Sequence, residues 1–209
     1  MDHIFFRLSL LAVVICTACN SPMQNEQERA AKDSANAPVQ GVPEEKSESI
    51  SLDTTYGDYR ISAIATGTGS MRDLILAVGS KKDSTQADST IEHDVKGQLK
   101  NMMIADLDGN GKPELYLQML SEGTGRFGKI YAFEIGRPKV TRINTFSLDT
   151  MQQKDYRGQD TFFIKEKTLV RTFPAFREGD PDALTANTKG IIIYHLQKAG
   201  DTLKLVPAK

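Results

Sequence analysis

The stretch Lys129–Ile135, with the sequence KIYAFEI, decides the fold class. Tyr131, Phe133 and Ile135 occupy every second position, so an extended chain places all three side chains on one face, as a half-buried β-strand requires. On both sides of this stretch, other short apolar runs of strand length are separated by Gly, Asp, Asn and Ser. Long amphipathic helices are absent from the pattern, so the sequence predicts an all-β protein.

The predicted strands follow one another closely. They are Tyr59–Ala65, Asp73–Val78, Ile91–Val95, Leu99–Ala105, Glu114–Leu120, Lys129–Ile135, Val140–Phe146, Thr161–Lys165, Leu169–Phe173, Gly190–Leu196 and Thr202–Val206. Helix is expected only for one or two turns within Asp149–Tyr156. This density of strands predicts a single domain over residues 51–209, an antiparallel β-sandwich or a barrel-like fold with little helix.

The overall charge is nearly balanced. The 209 residues include 26 Lys and Arg against 27 Asp and Glu, for a formal net charge of -1. A protein that binds nucleic acid through its phosphates needs a basic excess, which this chain lacks. We therefore expect no nucleic-acid partner.

Residues 1–18 are predicted to be a lipoprotein signal peptide. Arg7 precedes an apolar core, Leu8–Ile15, that is too short to cross a bilayer. The small residues Thr17 and Ala18 stand before Cys19, which would carry the lipid. The alternative is an ordinary secretory signal cut after Ala18. The prediction places the protein in the envelope of a Gram-negative cell, facing the periplasm or exposed at the surface and attached to a membrane through its lipid anchor.

Residues 19–50 are predicted to be a flexible tether. The stretch from Asn20 to about Ser49 is rich in Gln, Glu, Ala, Ser and Pro and has few large apolar side chains, so it cannot offset the entropy lost on ordering. Both cysteines, Cys16 and Cys19, lie before Asn20. The domain that follows therefore has no internal disulfide and depends on its apolar core.

The sequence DLDGNGKPE, which begins at residue 106, matches the opening of a calcium-binding loop. Asp106, Asp108 and Asn110 supply oxygen atoms at the first, third and fifth positions, a glycine follows, and Glu114 takes the ninth. The twelfth position lacks the Glu of an EF-hand, so the pattern is closer to the calcium hairpins of β-propeller blades. The alternative is a tight turn between strands, because Asp, Asn and Gly tolerate positive φ. No cofactor other than this possible calcium ion is predicted.

A glycine-rich loop, SEGTGRFG, joins two predicted strands and is longer than an ordinary hairpin connection. Two interpretations stay open. Either Phe127 is buried in the base of the loop, or the loop projects and its hydroxyl, guanidinium and backbone N–H groups enter a partner's cleft. The candidate binding residues are Ser121, Gly123, Thr124, Gly125, Arg126, Phe127 and Gly128.

A third segment, Leu169–Asp180, ends a strand at Pro174 and continues into a charged turn, which by itself is typical of a solvent-exposed loop with local ion pairs. The sequence offers no catalytic constellation. His93 and His195 lie on strand-like segments with no nucleophile and no metal-ligand spacing nearby. We therefore expect a protein that is not an enzyme.

Taken together, these segments resemble the PliI family, periplasmic inhibitors of invertebrate-type lysozyme. The resemblance rests on Ala105–Tyr116, on the glycine-rich loop after it and on Leu169–Asp180, in the same order, and it covers the chain from about residue 59 to residue 206. It implies a β-sandwich-like domain that protects peptidoglycan in the bacterial envelope. In that family the glycine-rich loop enters the enzyme's active-site cleft, and the family's Ser and Tyr positions fall on Thr124 and Phe127.

The resemblance also implies a mechanism. A retaining glycosidase holds two carboxyl groups about 5–5.5 Å apart. The Thr124 hydroxyl and nearby backbone N–H groups would hydrogen-bond both, Arg126 would add a charge-assisted bond, and Phe127 would occupy a sugar subsite. The glycines would let the backbone turn closely and enter the cleft.

The charged turn would supply a secondary contact region or brace the loop through Arg177, Glu178 and Asp180. The expected partner is thus a lysozyme-like glycosidase. The alternative function is a calcium-stabilised envelope module that binds glycan or protein and has no inhibitor activity.

Overall fold

A computed structural model describes residues 47–83, 87–136, 139–154, 156–175 and 188–208. The predicted lipidation site Cys19 and the predicted secondary contacts Arg177, Glu178 and Asp180 lie outside these residues. The described strands form three four-stranded antiparallel sheets, each built from strands that are consecutive in the chain. The prediction of an all-β antiparallel fold with little helix is confirmed, and the described strands do not close into a barrel.

The strands are numbered in chain order. The first sheet contains β1 (Glu48–Tyr56), β2 (Tyr59–Gly67), β3 (Met71–Ser80) and β4 (Ala87–Lys96). The middle sheet contains β5 (Gln98–Ala105), β6 (Glu114–Leu120), β7 (Gly128–Ile135) and β8 (Val140–Ile143). The third sheet has the order β12 (Thr202–Pro207), β11 (Thr188–Ala199), β10 (Thr168–Ala175) and β9 (Thr161–Lys165). A short helix, Thr150–Lys154, connects the middle and third sheets.

The core consists of two hydrophobic clusters, one on each face of the middle sheet. The first cluster lies against the first sheet and includes Leu74 and Leu76 from β3 together with Tyr131 and Phe133 from β7. The second lies against the third sheet and includes residues of β7, β9, β10, β11 and β12. The described strands therefore form a stack of three sheets, and the alternation predicted for β7 places its aromatic side chains in the first cluster.

Strand β6 is buried along its whole length. Leu115, Leu117 and Met119 point into the first cluster, and Tyr116 points into the second. Because successive side chains of a strand point to opposite faces, a strand with apolar residues at nearly every position fits a sheet covered on both sides.

The prediction missed one strand, and several strands begin or end at other residues than predicted. Strand β1 begins at Glu48, before the expected domain start at residue 51, and the sequence pattern missed it. It is an edge strand that is only partly buried, so its apolar signal is weak. Strand β8 ends at Ile143 rather than at Phe146. The next residue, Asn144, leaves the middle sheet and bonds to the third, donating to the Leu203 carbonyl at 2.9 Å.

The described helix is too short and too polar to cross a membrane, and no other helix in the described ranges qualifies.

Candidate functional site

The glycine-rich loop connects β6 to β7 and is closed by its own hydrogen bonds. The Ser121 N–H donates to the Phe127 carbonyl at 2.9 Å, and the Phe127 N–H donates to Ser121 Oγ at 2.8 Å. Gly123 and Arg126 have φ values of +89° and +46°, which turn the chain back on itself between these ends. The sequence therefore forms a compact loop with a fixed base.

On the side of the third sheet, the loop is held by the segment before β9. The Gln159 N–H donates to the Gly125 carbonyl at 2.8 Å, and Gln159 Nε2 donates to the Thr124 carbonyl at 2.5 Å. Gly158, with a φ of +91°, lies so close that a Cβ there would overlap the Gly125 carbonyl oxygen. Only glycine permits this approach.

On the side of the first sheet, the loop is held by an ion pair. Glu122 Oε1 lies 3.3 Å from Arg72 Nη2, and the Arg72 side chain, on β3, is only 2% exposed. The same guanidinium nitrogen lies 3.3 Å from Glu48 Oε2 on β1. The loop is thus attached to elements on both sides of the middle sheet.

These contacts involve backbone groups and Glu122, and they leave other side chains facing solvent. Thr124, Arg126 and Phe127 are all exposed. Phe127 is 49% exposed, and its ring packs edge-on against Tyr156, with the ring centroids 5.6 Å apart. The outcome lies between the two interpretations of the sequence: the loop is braced rather than free-standing, and Phe127 is not buried.

Beneath the loop lies a buried ion pair. Arg171 Nε, on β10, donates to Asp160 Oδ1 at 2.6 Å, and the two side chains are 7% and 0% exposed. Asp160 Oδ2 accepts the Gly128 N–H at 2.5 Å and the Tyr156 hydroxyl, which in turn accepts from Arg171 Nη2 at 2.9 Å. Gln118 Nε2 donates to the Asp160 carbonyl at 3.3 Å.

Aromatic rings complete the surroundings of this cation. The Arg171 guanidinium lies 5.0 Å from the ring centroid of Tyr156 and 5.3 Å from that of Phe162. Burial opposes its charge, but the hydrogen bond and the charge of Asp160 raise the pKa of Arg171 above its ordinary value. The pair is therefore a charged structural support for the base of the loop at Gly128.

A cleft of about 710 Å³ opens beside this network, between the middle and third sheets. Phe127 and Phe146, each about half exposed, belong to its lining, together with Tyr156 and the polar side chains of Asn144 and Gln153. Its volume is within the range of small-molecule sites.

The predicted calcium loop connects β5 to β6. Asp106, Asp108 and Glu114 bring their carboxylates together, with one oxygen of each within 4.8 Å of one oxygen of both others. The Asn110 side-chain oxygen, Oδ1, accepts the Lys112 N–H at 2.7 Å. Burial, together with the charges of Asp108 and Asp106, raises the pKa of Glu114 to about 7.

The sequence pattern missed the residues that support the loop, namely Asp160, Tyr156 and Gln159, and it placed Arg171 in the predicted strand Leu169–Phe173 without indicating that its side chain is buried. A signal was present for Arg171. It shares a strand face with Leu169 and Phe173, two residues before and two after it, and both are buried in the second cluster. A charged residue at a core-facing position of a strand indicates a buried pair.

No protein-family model, no curated protein and no solved structure matches this chain.

Proposed function

We propose that this protein is a lipid-anchored inhibitor of a lysozyme-type glycosidase in the bacterial envelope, and that it acts by inserting the loop Ser121–Gly128 into the enzyme's active-site cleft. The proposal combines the resemblance to the PliI family with the geometry of the loop. Anchoring through Cys19 belongs to the same proposal.

The observation that carries the proposal is a loop held at its backbone with its side chains exposed. The Thr124 and Gly125 carbonyls are occupied by Gln159, so the backbone does not have to become ordered when a partner binds. Preorganisation of this kind improves affinity by reducing the entropy lost on association. Thr124, Arg126 and Phe127 stay exposed, and the first two can donate hydrogen bonds.

Those three side chains suit the acidic cleft of a retaining glycosidase. A hydroxyl and a guanidinium can bond two carboxyl groups, and a half-exposed phenylalanine can occupy a sugar subsite. Phe127 carries no hydroxyl, so its contribution is apolar contact rather than a hydrogen bond.

The test is a peptidoglycan lysis assay with an invertebrate-type lysozyme and the purified full chain. We expect inhibition, and we expect the double variant Thr124→Ala/Phe127→Ala to raise the half-inhibitory concentration by at least ~30-fold, which corresponds to a hot spot of about 2 kcal/mol. Phe163→Ala is the matched control, because Phe163 is also an exposed phenylalanine (39%) but lies on the face of β9 opposite to Phe162. The proposal fails if the unmutated protein neither inhibits nor binds any lysozyme.

A second candidate function is a binding module for envelope glycan, favoured by the aromatic-lined cleft. Sugar rings present apolar C–H faces that pack against rings such as Phe127 and Phe146, while amides such as Asn144 and Gln153 can bond hydroxyl groups. Calorimetric titration with soluble peptidoglycan fragments tests it. Phe146→Ala should weaken such binding and leave lysozyme inhibition unchanged, and no heat of binding for the unmutated protein would dismiss this candidate.

A further inference from the structure

We propose that the β5–β6 loop binds one calcium ion through the carboxylates of Asp106, Asp108 and Glu114. This site lies at the end of β6 opposite to the glycine-rich loop, since the two loops adjoin opposite ends of that strand. The proposal is therefore independent of lysozyme inhibition.

The spacing of the three carboxylates fits a single ion. Calcium binds oxygen at 2.3–2.6 Å, so two ligands on opposite sides of one ion are about 5 Å apart at most. The chosen oxygens of Asp106, Asp108 and Glu114 all lie within 4.8 Å of one another. Oxygens at this spacing can share one such ion through the lone pairs that remain after the Asp106 and Asp108 carboxylates accept the N–H groups of Asn110 and Gly111.

A second observation comes from the buried side chain of Glu114. The residue is 0% exposed, and its Oε2 accepts the Leu107 N–H at 2.7 Å and the Tyr116 hydroxyl at 3.4 Å. Its Oε1 is also buried and has no hydrogen-bond partner among the described residues. A buried carboxylate oxygen without a donor is costly, and a cation shared with the two aspartates would supply the missing partner.

Basic side chains near the loop do not neutralise this cluster. Lys112 Nζ pairs instead with Glu134 Oε1 at 3.4 Å. Lys167 approaches the loop at Gly109. Within the described ranges, however, no Lys, Arg or His nitrogen lies within 4.0 Å of the carboxylates of Asp106, Asp108 or Glu114. Among the described residues, the three acidic groups thus converge without an ion pair to a basic side chain.

The chemistry of the loop favours calcium over magnesium. Calcium accepts six to eight oxygen ligands in irregular arrangements, whereas magnesium demands near-ideal octahedral geometry. The loop supplies three carboxylates on a short, glycine-containing turn, and backbone carbonyls and water would complete the shell.

Thermal unfolding of the full chain tests the proposal. Calcium at about 100 times its dissociation constant should raise the Tm by roughly 5–10 °C for a domain of this size, and chelator should reverse the rise. Asp106→Asn and Asp108→Asn should lose this response. Asp201→Asn, in the exposed turn between β11 and β12, should keep it. An unchanged Tm across millimolar calcium overturns the proposal, and an equal response to magnesium overturns the choice of ion.

Terbium luminescence gives a readout that does not depend on stability. Terbium occupies calcium sites and is excited by a nearby tyrosine, and this chain has no Trp to interfere. Tyr116, whose hydroxyl lies 3.4 Å from Glu114 Oε2, is well placed to excite it. We expect emission that calcium displaces and that Tyr116→Phe abolishes while the calcium-induced Tm rise remains. Absence of displaceable emission from the unmutated protein contradicts the site.

Discussion

Arg171 and Asp160 form a buried ion pair, with Nε 2.6 Å from Oδ1, directly beneath the glycine-rich loop. Asp160 also accepts the N–H of Gly128, the last residue of that loop. The position of the loop base therefore depends on a charge pair that lies against Phe162 and Phe173 of the second cluster. The exposed side chains that we propose as the binding surface rest on this buried support.

Replacing one member of the pair should be costly. Arg171→Met leaves the Asp160 carboxylate buried without its cation, and we expect a loss of about 3–5 kcal/mol in the free energy of unfolding. Urea denaturation monitored by tyrosine fluorescence measures it. The double variant Arg171→Met/Asp160→Asn should be destabilised by less than the sum of the single variants, because it removes the unpaired charge. Strict additivity would mean that the pair is not coupled.

Gly158 allows a direct test of the loop brace. In Gly158→Ala the new Cβ would overlap the Gly125 carbonyl, so we expect the loop to move and inhibition to weaken by at least ~10-fold, since displacements of about 1 Å are costly at preorganised sites. Gly200→Ala is the matched control. Its φ is +61°, so it carries a similar backbone cost of about 1–2 kcal/mol, but nothing lies within 4 Å of the added Cβ. Equal inhibition by both variants would contradict the brace.

The raised pKa of Glu114 predicts that, in the presence of chelator, the free energy of unfolding depends on pH. Its pKa in the folded protein is about 7, above the ordinary value of 4.5, because the side chain is buried and lies beside two aspartates. The folded state therefore binds the proton more tightly. Protonation of Glu114 therefore adds to the free energy of unfolding. This contribution is fully present below about pH 4.5 and is lost as the pH rises through 7.

The expected loss is about 3 kcal/mol, at 1.36 kcal/mol per pKa unit. Denaturant titrations at pH 5 and pH 8 measure it. Glu114→Gln should remove this part of the pH dependence, and an identical pH profile for the variant would contradict the assignment.

The alternation in β7 was sufficient to predict an all-β fold, but it did not reveal the number of layers. That information was carried by β6, where Leu115, Tyr116 and Leu117 follow one another without a polar interruption. A continuous apolar run of strand length fits a strand covered on both faces, yet from sequence alone it also fits a short buried helix. The third layer became evident only from the packing of the sheets through the two hydrophobic clusters.

The candidate site was only partly predictable. The segment Ser121–Gly128 was identified by its length and its glycines, which are local properties. Its braces, Arg72 and Gln159, are separated from it by tens of residues in the chain, and the packing of the sheets brings them together. Local patterns do not encode such contacts, so the sequence could indicate a loop but not whether it is held or free.

Arg72 on one side and Gln159 on the other connect the loop to the first sheet and to the segment before β9 of the third sheet. A partner that binds the loop and limits its motion would also restrain the strands that carry these attachments. Slower amide hydrogen exchange should therefore extend into β3 and into the segment leading to β9, well outside the contact surface. Binding of a partner to this one exposed loop would then be measured as slower hydrogen exchange in two separate sheets.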